Sequence, residues 1–374
     1  MSERGNCVTG LFPEELEQLV SSWGEPSYRG RQIFEWIHHR GVLEPSAMTN
    51  LPREVRRLLA GPSSEEVRRL RSADGLTSKL LLRLHDGQAI EAVEMNTETG
   101  RKTICVSTQA GCAMGCVFCV TGQFGFARNL EAGEIVEQVL RFNSSERPVT
   151  NVVFMGMGEP LANYEQTLRG IRLLTHPLGM RLGARRITVS TSGLVPQMRR
   201  LAQEGLQVGL AVSLHAPEDD LRSALMPVNR RWPIAEVVAA ADDYADVTGR
   251  RVSYEYALID GVNDSDALAD ELAELLHGRL CHVNLIPLNP SEDVNLRAPS
   301  AERALAFEAR LRRAGIAATI RVNRGRDILA ACGQLRLAEK AISNQPSAIS
   351  SQPLLTIRQQ ARADAPGKML IADS

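Results

Sequence analysis

From residue 104 onward, short runs of β-branched and other apolar residues alternate with longer segments whose apolar positions recur every three to four residues. The first kind fits strands buried on both faces, and the second fits amphipathic helices that cover them. The predicted strands are Ile104–Thr108, Val152–Met155, Ile187–Ser190, Val208–Ser213, Val252–Ala257, Val283–Ile286 and Ala318–Val322. The predicted helices are 133–143, 163–175, 196–204, 234–247, 266–276 and 301–314. Strand, helix, strand, about six times over, requires parallel strands with right-handed crossovers. The chain is therefore of the α/β class, and the pattern favours a barrel or partial barrel over a doubly wound sheet.

Before this rhythm begins, the periodicity is different. PEELEQLVSSWG, YRGRQIFEWIHHRG and PREVRRLLAGPSSEEVRRLR read as short helical pieces, each ended by Gly or Pro. LTSKLLLRLHDGQAIEAVEM gives two apolar runs around His85-Asp86-Gly87-Gln88, a β-hairpin signature. The expected organisation is a helical accessory domain at 1–75, a hairpin connector at 76–97 and the repeating α/β unit at 98–340. The segment 341–374 is rich in Ser, Gln, Pro and Ala without sustained periodicity and reads as disordered.

The polar motifs fall in a consistent place. The loop 109–129 and the segments GMGEP, STSG, SLHA, IDGVND, PLNP and NRGRD each follow the end of a strand. In a barrel those ends share one face, where active sites are built.

Composition narrows the class further. A chain of 374 residues with 44% hydrophobic and 23% charged residues can bury a sizeable core. No run of about eighteen apolar residues occurs, and MSERGNCVTG lacks the apolar stretch of a secretory signal. A cytoplasmic protein without membrane contact is expected. The net charge of −1 gives no global argument for nucleic-acid binding, so any such argument must come from local clusters.

Three of the seven cysteines crowd into AGCAMGCVFCVTG as C-x3-C-x2-C: Cys112, Cys116 and Cys119. Soft thiolates on one tight loop suit a metal centre better than a disulfide framework. Three thiolates around a four-iron cluster leave one iron open. A zinc site completed by Cys105 or His215, or plain buried cysteines, are the alternatives. The spacing, with Phe118 before the last cysteine and a strand before the loop, resembles the radical SAM superfamily. That resemblance implies a 4Fe–4S cluster whose open iron binds S-adenosylmethionine (SAM), and cleavage of SAM to a 5′-deoxyadenosyl radical. It also implies a TIM-like partial (β/α)6 barrel. Gly156-Met157-Gly158-Glu159-Pro160 matches the glycine-rich motif that contacts the SAM amino group there, with Gly158 and Glu159 as binding residues. Glycines permit close backbone approach, and a carboxylate suits an ammonium.

Cys105, seven residues before the cluster motif, and Cys332 in RVNRGRDILAACGQL make the resemblance more specific. With KTICVSTQAGCAMGCVFCVTG, GFARNL, MGMGEPL, ITVSTSG, LAVSLHA, IPLNP and RGRDILAACGQL in order over about 12–340, the chain resembles the RlmN/Cfr family of RNA adenosine methyltransferases. In that family the positions matching Ser190, Ser213, Leu214, His215 and Asn289 bind SAM. A ring carbon of adenine is not nucleophilic, so direct methyl displacement is unfavourable, whereas a thiolate is a good methyl acceptor. The resemblance implies that Cys332 takes a methyl from one SAM and that the radical from a second SAM removes hydrogen from it. The methylene then adds to the ring. Cys105 resolves the adduct through a transient disulfide with Cys332. Glu91 matches the proton acceptor, with Glu94 or Cys105 as alternatives. Cys7 and Cys281 read as structural.

The implied substrates are 23S rRNA and tRNA, methylated at carbon 2 of an adenosine by a monomer. Flavodoxin or ferredoxin would be the electron donor. Carbon 8 of an rRNA adenosine is the alternative, which would confer resistance to ribosome-targeting antibiotics. A radical SAM enzyme for a small molecule or peptide, or a zinc-dependent RNA-binding module, would be different classes. Arg53, Arg56, Arg57, Arg68, Arg69 and Arg71 form the densest basic run. Arg185-Arg186, Arg230-Arg231, Arg312-Arg313 and Arg321, Arg324 and Arg326 are further candidates for phosphate contact.

Overall fold

Three short helices open the chain: α1 (Pro13–Ser22), α2 (Tyr28–Phe34), which continues as a π-turn through His39, and α3 (Arg53–Leu58). The computed structural model describes residues 7–144, 146–289, 294–321 and 324–335. The segment 341–374, expected to be disordered, lies outside the described residues. Pro13, which has no amide N–H to satisfy, starts α1, and the Glu15 carboxylate accepts the Phe12 amide. Gly30 of α2 allows close crossing with α1, since a Cβ there would stand 2.3 Å from the Glu17 nitrogen.

After α3 the chain becomes a sheet. β1 (Ser64–Arg71), β2 (Thr77–Leu84), β3 (Ala89–Asn96) and β4 (Lys102–Cys105) pair antiparallel in sequence order. The helical reading of SSEEVRRLR is therefore corrected: it is an edge strand. A bulge at Glu66–Arg68 breaks the strand alternation, so the less exposed residues Ser64, Val67 and Leu70 fall three apart and mimic a helical period. The expected hairpin forms, and it belongs to the main sheet.

A side hairpin of β5 (Gln109–Gly111) and β6 (Phe126–Asn129) brackets a short helix α4 (Val120–Gln123). From there helices and parallel strands alternate: α5 (Ala132–Leu140), β7 (Asn151–Phe154), α6 (Tyr164–Thr175), β8 (Ile187–Thr191), α7 (Val195–Ala202) and β9 (Gly209–Ser213). The series continues with α8 (Asp219–Leu225), α9 (Ile234–Thr248), β10 (Val252–Leu258), α10 (Asp266–Leu276), β11 (Cys281–Pro287), α11 (Ala301–Arg313) and β12 (Ala318–Ile320). The order β1-β2-β3-β4-β7-β8-β9-β10-β11-β12 is one ten-stranded sheet, parallel from β4 onward. The predicted repeat is borne out within a few residues at each end; α8 and the β5–β6 hairpin were not expected.

Outward-facing Ile104, Val152, Val189, Leu210, Val212, Tyr254, Val283 and Leu285 are almost fully buried in one continuous core. The strands' other faces carry Cys105, Met155, Ser190, Ser213, Glu255 and Arg321 toward cavities at the centre of the sheet. Among the described residues, no helix is long and apolar enough to cross a membrane.

Candidate active site

The cysteine loop is shaped by backbone constraints. Gly111 (φ +80°) leads into it, and a Cβ there would lie 2.0 Å from the Gly125 carbonyl oxygen, which accepts the Cys112 amide at 2.7 Å. The Cys119 amide donates to the Cys116 carbonyl, and Val117 is tied to Leu225 at the end of α8. Cys112, Cys116 and Cys119 line a cavity of about 170 Å³ together with Gly158, Glu159, Ser190, Ser213, His215, Asn289 and Cys332. Ten of the candidate residues, contributed by six separate loops or strand ends, thus converge on one space.

The donor set fits an iron–sulfur cluster. Burial pushes the Cys112 thiol up to about 12 and raises those of Cys116 and Cys119. Such thiols become thiolates when a cationic centre takes them. Among the described residues, no three His, Cys, Asp or Glu groups converge tightly enough for a single ion.

Around the cavity the polar loops hold one another. Gly158 (φ +96°) packs so closely on Gln109 that a Cβ would meet its side chain at 2.4 Å, and the Gln109 Oε1 accepts the Glu159 amide at 2.8 Å. The buried Glu159 carboxylate accepts amides from Leu161 (3.0 Å) and Ser192 (2.7 Å), and burial raises its proton affinity. His215 adopts φ +61°, accepts the Ala257 amide on Nδ1 at 2.8 Å and meets the Phe118 ring edge-on. Burial holds its ring neutral, its pKa lowered to about 3. Leu214 differs from its neighbours: its side chain is fully buried in the core and does not line the cavity.

Sequence reasoning missed Arg222. Its buried guanidinium donates to the carbonyls of Leu214 (3.1 Å), Ser192 (2.7 Å) and Ser213 (3.0 Å), and to Asn229 Oδ1 (2.6 Å). One side chain therefore ties the loop after β8 to the loop after β9. Glu255 and Asn284, also missed, are polar side chains inside apolar strands, which was the available signal.

The Cys332 loop is anchored on all sides. Asn289 Nδ2 donates to the Cys332 carbonyl at 3.0 Å, while its Oδ1 accepts from Arg326. The Val120 amide donates to Gly333 and the Thr121 hydroxyl to Leu335. From the antiparallel strands, Lys79 Nζ donates to the Leu329 carbonyl at 3.0 Å. Arg324 returns a bond to the Asn96 carbonyl.

Cys332 also lines a second cavity, of about 440 Å³, which contains Cys105. Cys105 is 7% exposed, and burial pushes its thiol up to about 12. Glu91 is fully buried, ion-paired with Lys79 at 2.9 Å, and lines neither cavity. Its residue lies two places from Val93, which pairs with Cys105 across β3 and β4. Glu94 points to the opposite face and pairs with Lys102. Of the basic candidates, Arg321 and Arg324 face the second cavity. Arg57, Arg69 and Arg312 are engaged with Glu54, Glu66 and Glu308.

Comparison with known proteins gives the same picture. Residues 106–276 match the radical SAM superfamily, and residues 8–63 match the ribosomal RNA large subunit methyltransferase N-terminal domain. A probable dual-specificity RNA methyltransferase RlmN of Symbiobacterium thermophilum is 49% identical, over 88% of this chain and 91% of its own. A ribosomal RNA large subunit methyltransferase N of Nitrosopumilus maritimus is 46% identical over 87% and 97%. The crystal structure of a radical SAM methyltransferase from Sphaerobacter thermophilus superposes with a TM-score of 0.86 at 54% identity, covering 88% of this chain and 98% of that one. At this similarity and coverage, the chain belongs to the RlmN family of radical SAM RNA methyltransferases.

Proposed function

We propose that this protein methylates carbon 2 of an adenosine in 23S rRNA and in tRNA through a methylated Cys332. The observation that carries the reading is the position of Cys332 between two cavities, with the three cluster cysteines on one side and Cys105 on the other. The family's cofactors are a 4Fe–4S cluster and SAM, which supply a methyl group and a hydrogen-abstracting radical when bound. Cys112, Cys116 and Cys119 would hold the cluster; Gly158, Glu159, Ser190, Ser213, His215 and Asn289 would hold SAM, with Leu214 contributing backbone only.

Cys332 accepts the methyl on sulfur and carries it to the ring carbon. Glu91 receives the ring proton; it is ion-paired with Lys79, which also grips the Cys332 loop. Cys105 sulfur attacks Cys332 sulfur; the S–S bond forms as the S–C bond breaks, and the released carbon takes a proton to become the methyl group. A low-potential donor such as flavodoxin or ferredoxin, in the cytoplasm, would reduce the cluster.

The test is expression in a bacterial strain lacking its own adenosine carbon-methylating enzyme, with nucleoside mass spectrometry of purified rRNA and tRNA. The expected result is 2-methyladenosine in both RNAs, absent with Cys332→Ala. 8-Methyladenosine in rRNA would move the activity to carbon 8, and neither product from a cluster-loaded protein would refute RNA methylation.

A further inference from the structure

The larger cavity runs away from the cluster. Its walls include Thr188, Ser253, Asn284 and Thr319, in the N-terminal halves of their strands or mid-strand. Its rim holds Arg101, which immediately precedes β4 and is exposed. The loops of the cluster-side cavity follow strand C-termini, so the two spaces extend toward opposite ends of the sheet and meet at Met155, Glu255, Arg321 and Cys332. Cys105 lines only the larger one.

That cavity is electropositive. Arg101, Arg321 and Arg324 line it against a single acid, Glu255. Asn284 donates to one oxygen of the buried Glu255 carboxylate at 2.8 Å; the other has no hydrogen-bond partner and sits 3.9 Å from Arg321. Guanidinium groups recognise carboxylates, and an unpartnered buried oxygen calls for an N–H donor. About 440 Å³ is the size of a small-molecule site. Cys105 is 7% exposed and, of the two cavities, lines only this one, which favours a small reductant over a protein's surface cysteine.

We propose that this cavity admits a small anionic thiol that reduces the Cys105–Cys332 disulfide, resetting the enzyme from the end of the barrel opposite to the SAM face. The inference rests on the disulfide of the proposed mechanism. The incoming thiolate attacks Cys105 sulfur, the S–S bond breaks, and Cys332 leaves as a thiolate beside Arg321. A second thiol attacks the mixed disulfide, releasing the oxidised small disulfide and Cys105, which takes a proton. Two thiols thus supply the two electrons that return both cysteines to the reduced state.

The experiment uses the anaerobically purified holoenzyme, oxidised with diamide, with disulfides assigned by peptide mapping. Reduction is then timed with glutathione (anionic), 2-mercaptoethanol (neutral) and cysteamine (cationic) at matched thiolate concentration. Glutathione is expected to act fastest, with the transient mixed disulfide on Cys105. Arg101→Glu should slow glutathione about tenfold and leave 2-mercaptoethanol within about twofold, as for an electrostatically steered encounter. Arg324→Glu should shift the same ratio in the same direction. Equal rates for the three thiols, an unchanged ratio in Arg101→Glu, or faster reduction by a thioredoxin-type protein would overturn the inference. If diamide forms no Cys105–Cys332 bond, the mechanism itself fails instead.

Discussion

Replacing Arg222 with Met is the sharpest test of how the cofactor loops are held. The side chain is fully buried and makes four hydrogen bonds, three of them to carbonyls of Ser192, Ser213 and Leu214. A buried acceptor left without a donor costs about 1–3 kcal/mol, so four such losses would sum to roughly 4–12 kcal/mol. Part of this is returned, because the guanidinium no longer has to be buried; that burial already pulls its pKa down to about 10. A net loss near the low end, about 4 kcal/mol, corresponds to a fall of about 8–16 °C in Tm at roughly 2–4 °C per kcal/mol. The damage is local to the loops after β8 and β9, so SAM affinity should drop about tenfold even at temperatures where the variant is folded, equivalent to about 1.4 kcal/mol. Arg222→Lys keeps the charge but cannot span carbonyls on two loops, and should recover less than half of either effect. Calorimetric melting and SAM titration read both quantities. A Tm within about 2 °C of the unsubstituted protein, or an undiminished SAM affinity, would refute the view that this side chain organises the site.

Gly158→Ala should abolish SAM binding while leaving the far-ultraviolet circular dichroism native, because its Cβ would meet Gln109 at 2.4 Å and displace the Glu159 amide; retained binding would contradict this. Glu91→Gln should lower stability by about 3–5 kcal/mol by removing the charge facing buried Lys79, and Lys79→Met with Glu91→Leu should restore much of it, as measured by urea unfolding. His38, buried and stacked on Phe34 at 4.2 Å, is held neutral, its pKa lowered from 6.5 to about 3. The unfolded chain therefore binds a proton below about 6.5 that the native one refuses, and stability is lost as pH falls through that window. His38→Phe should lose about 1 kcal/mol less than the unsubstituted protein between roughly pH 7 and 5.5; parallel losses would exclude the assignment.

Much of the barrel was legible because a parallel strand buried on both faces has to be apolar throughout, and its covering helix has to repeat near 3.6 residues. The ends of those strands are where polar residues interrupt the pattern, so GMGEP, SLHA and the cysteine loop marked their own positions. β1 was not legible, since its bulge converts a two-residue alternation into a three-residue one. Arg222 was hidden for a different reason: three of its four partners are backbone carbonyls, which leave no trace in the identity of any other residue. Leu214 shows the converse limit, for a position matched to cofactor binding by its neighbours turns its side chain into the core.

The three antiparallel strands explain what an α/β barrel alone would lack. Under the proposed mechanism Cys332 meets both a cofactor and the thiol of Cys105, and such a residue cannot sit on a free loop, since small displacements in a reacting geometry are costly. Here the loop after β12 is gripped by α4 through Val120 and Thr121, by Asn289 after β11, and by Lys79 and Asn96 on β2 and β3. The grip from β2 passes through the same Lys79 that neutralises Glu91, so the ammonium couples the loop's position to the carboxylate's charge.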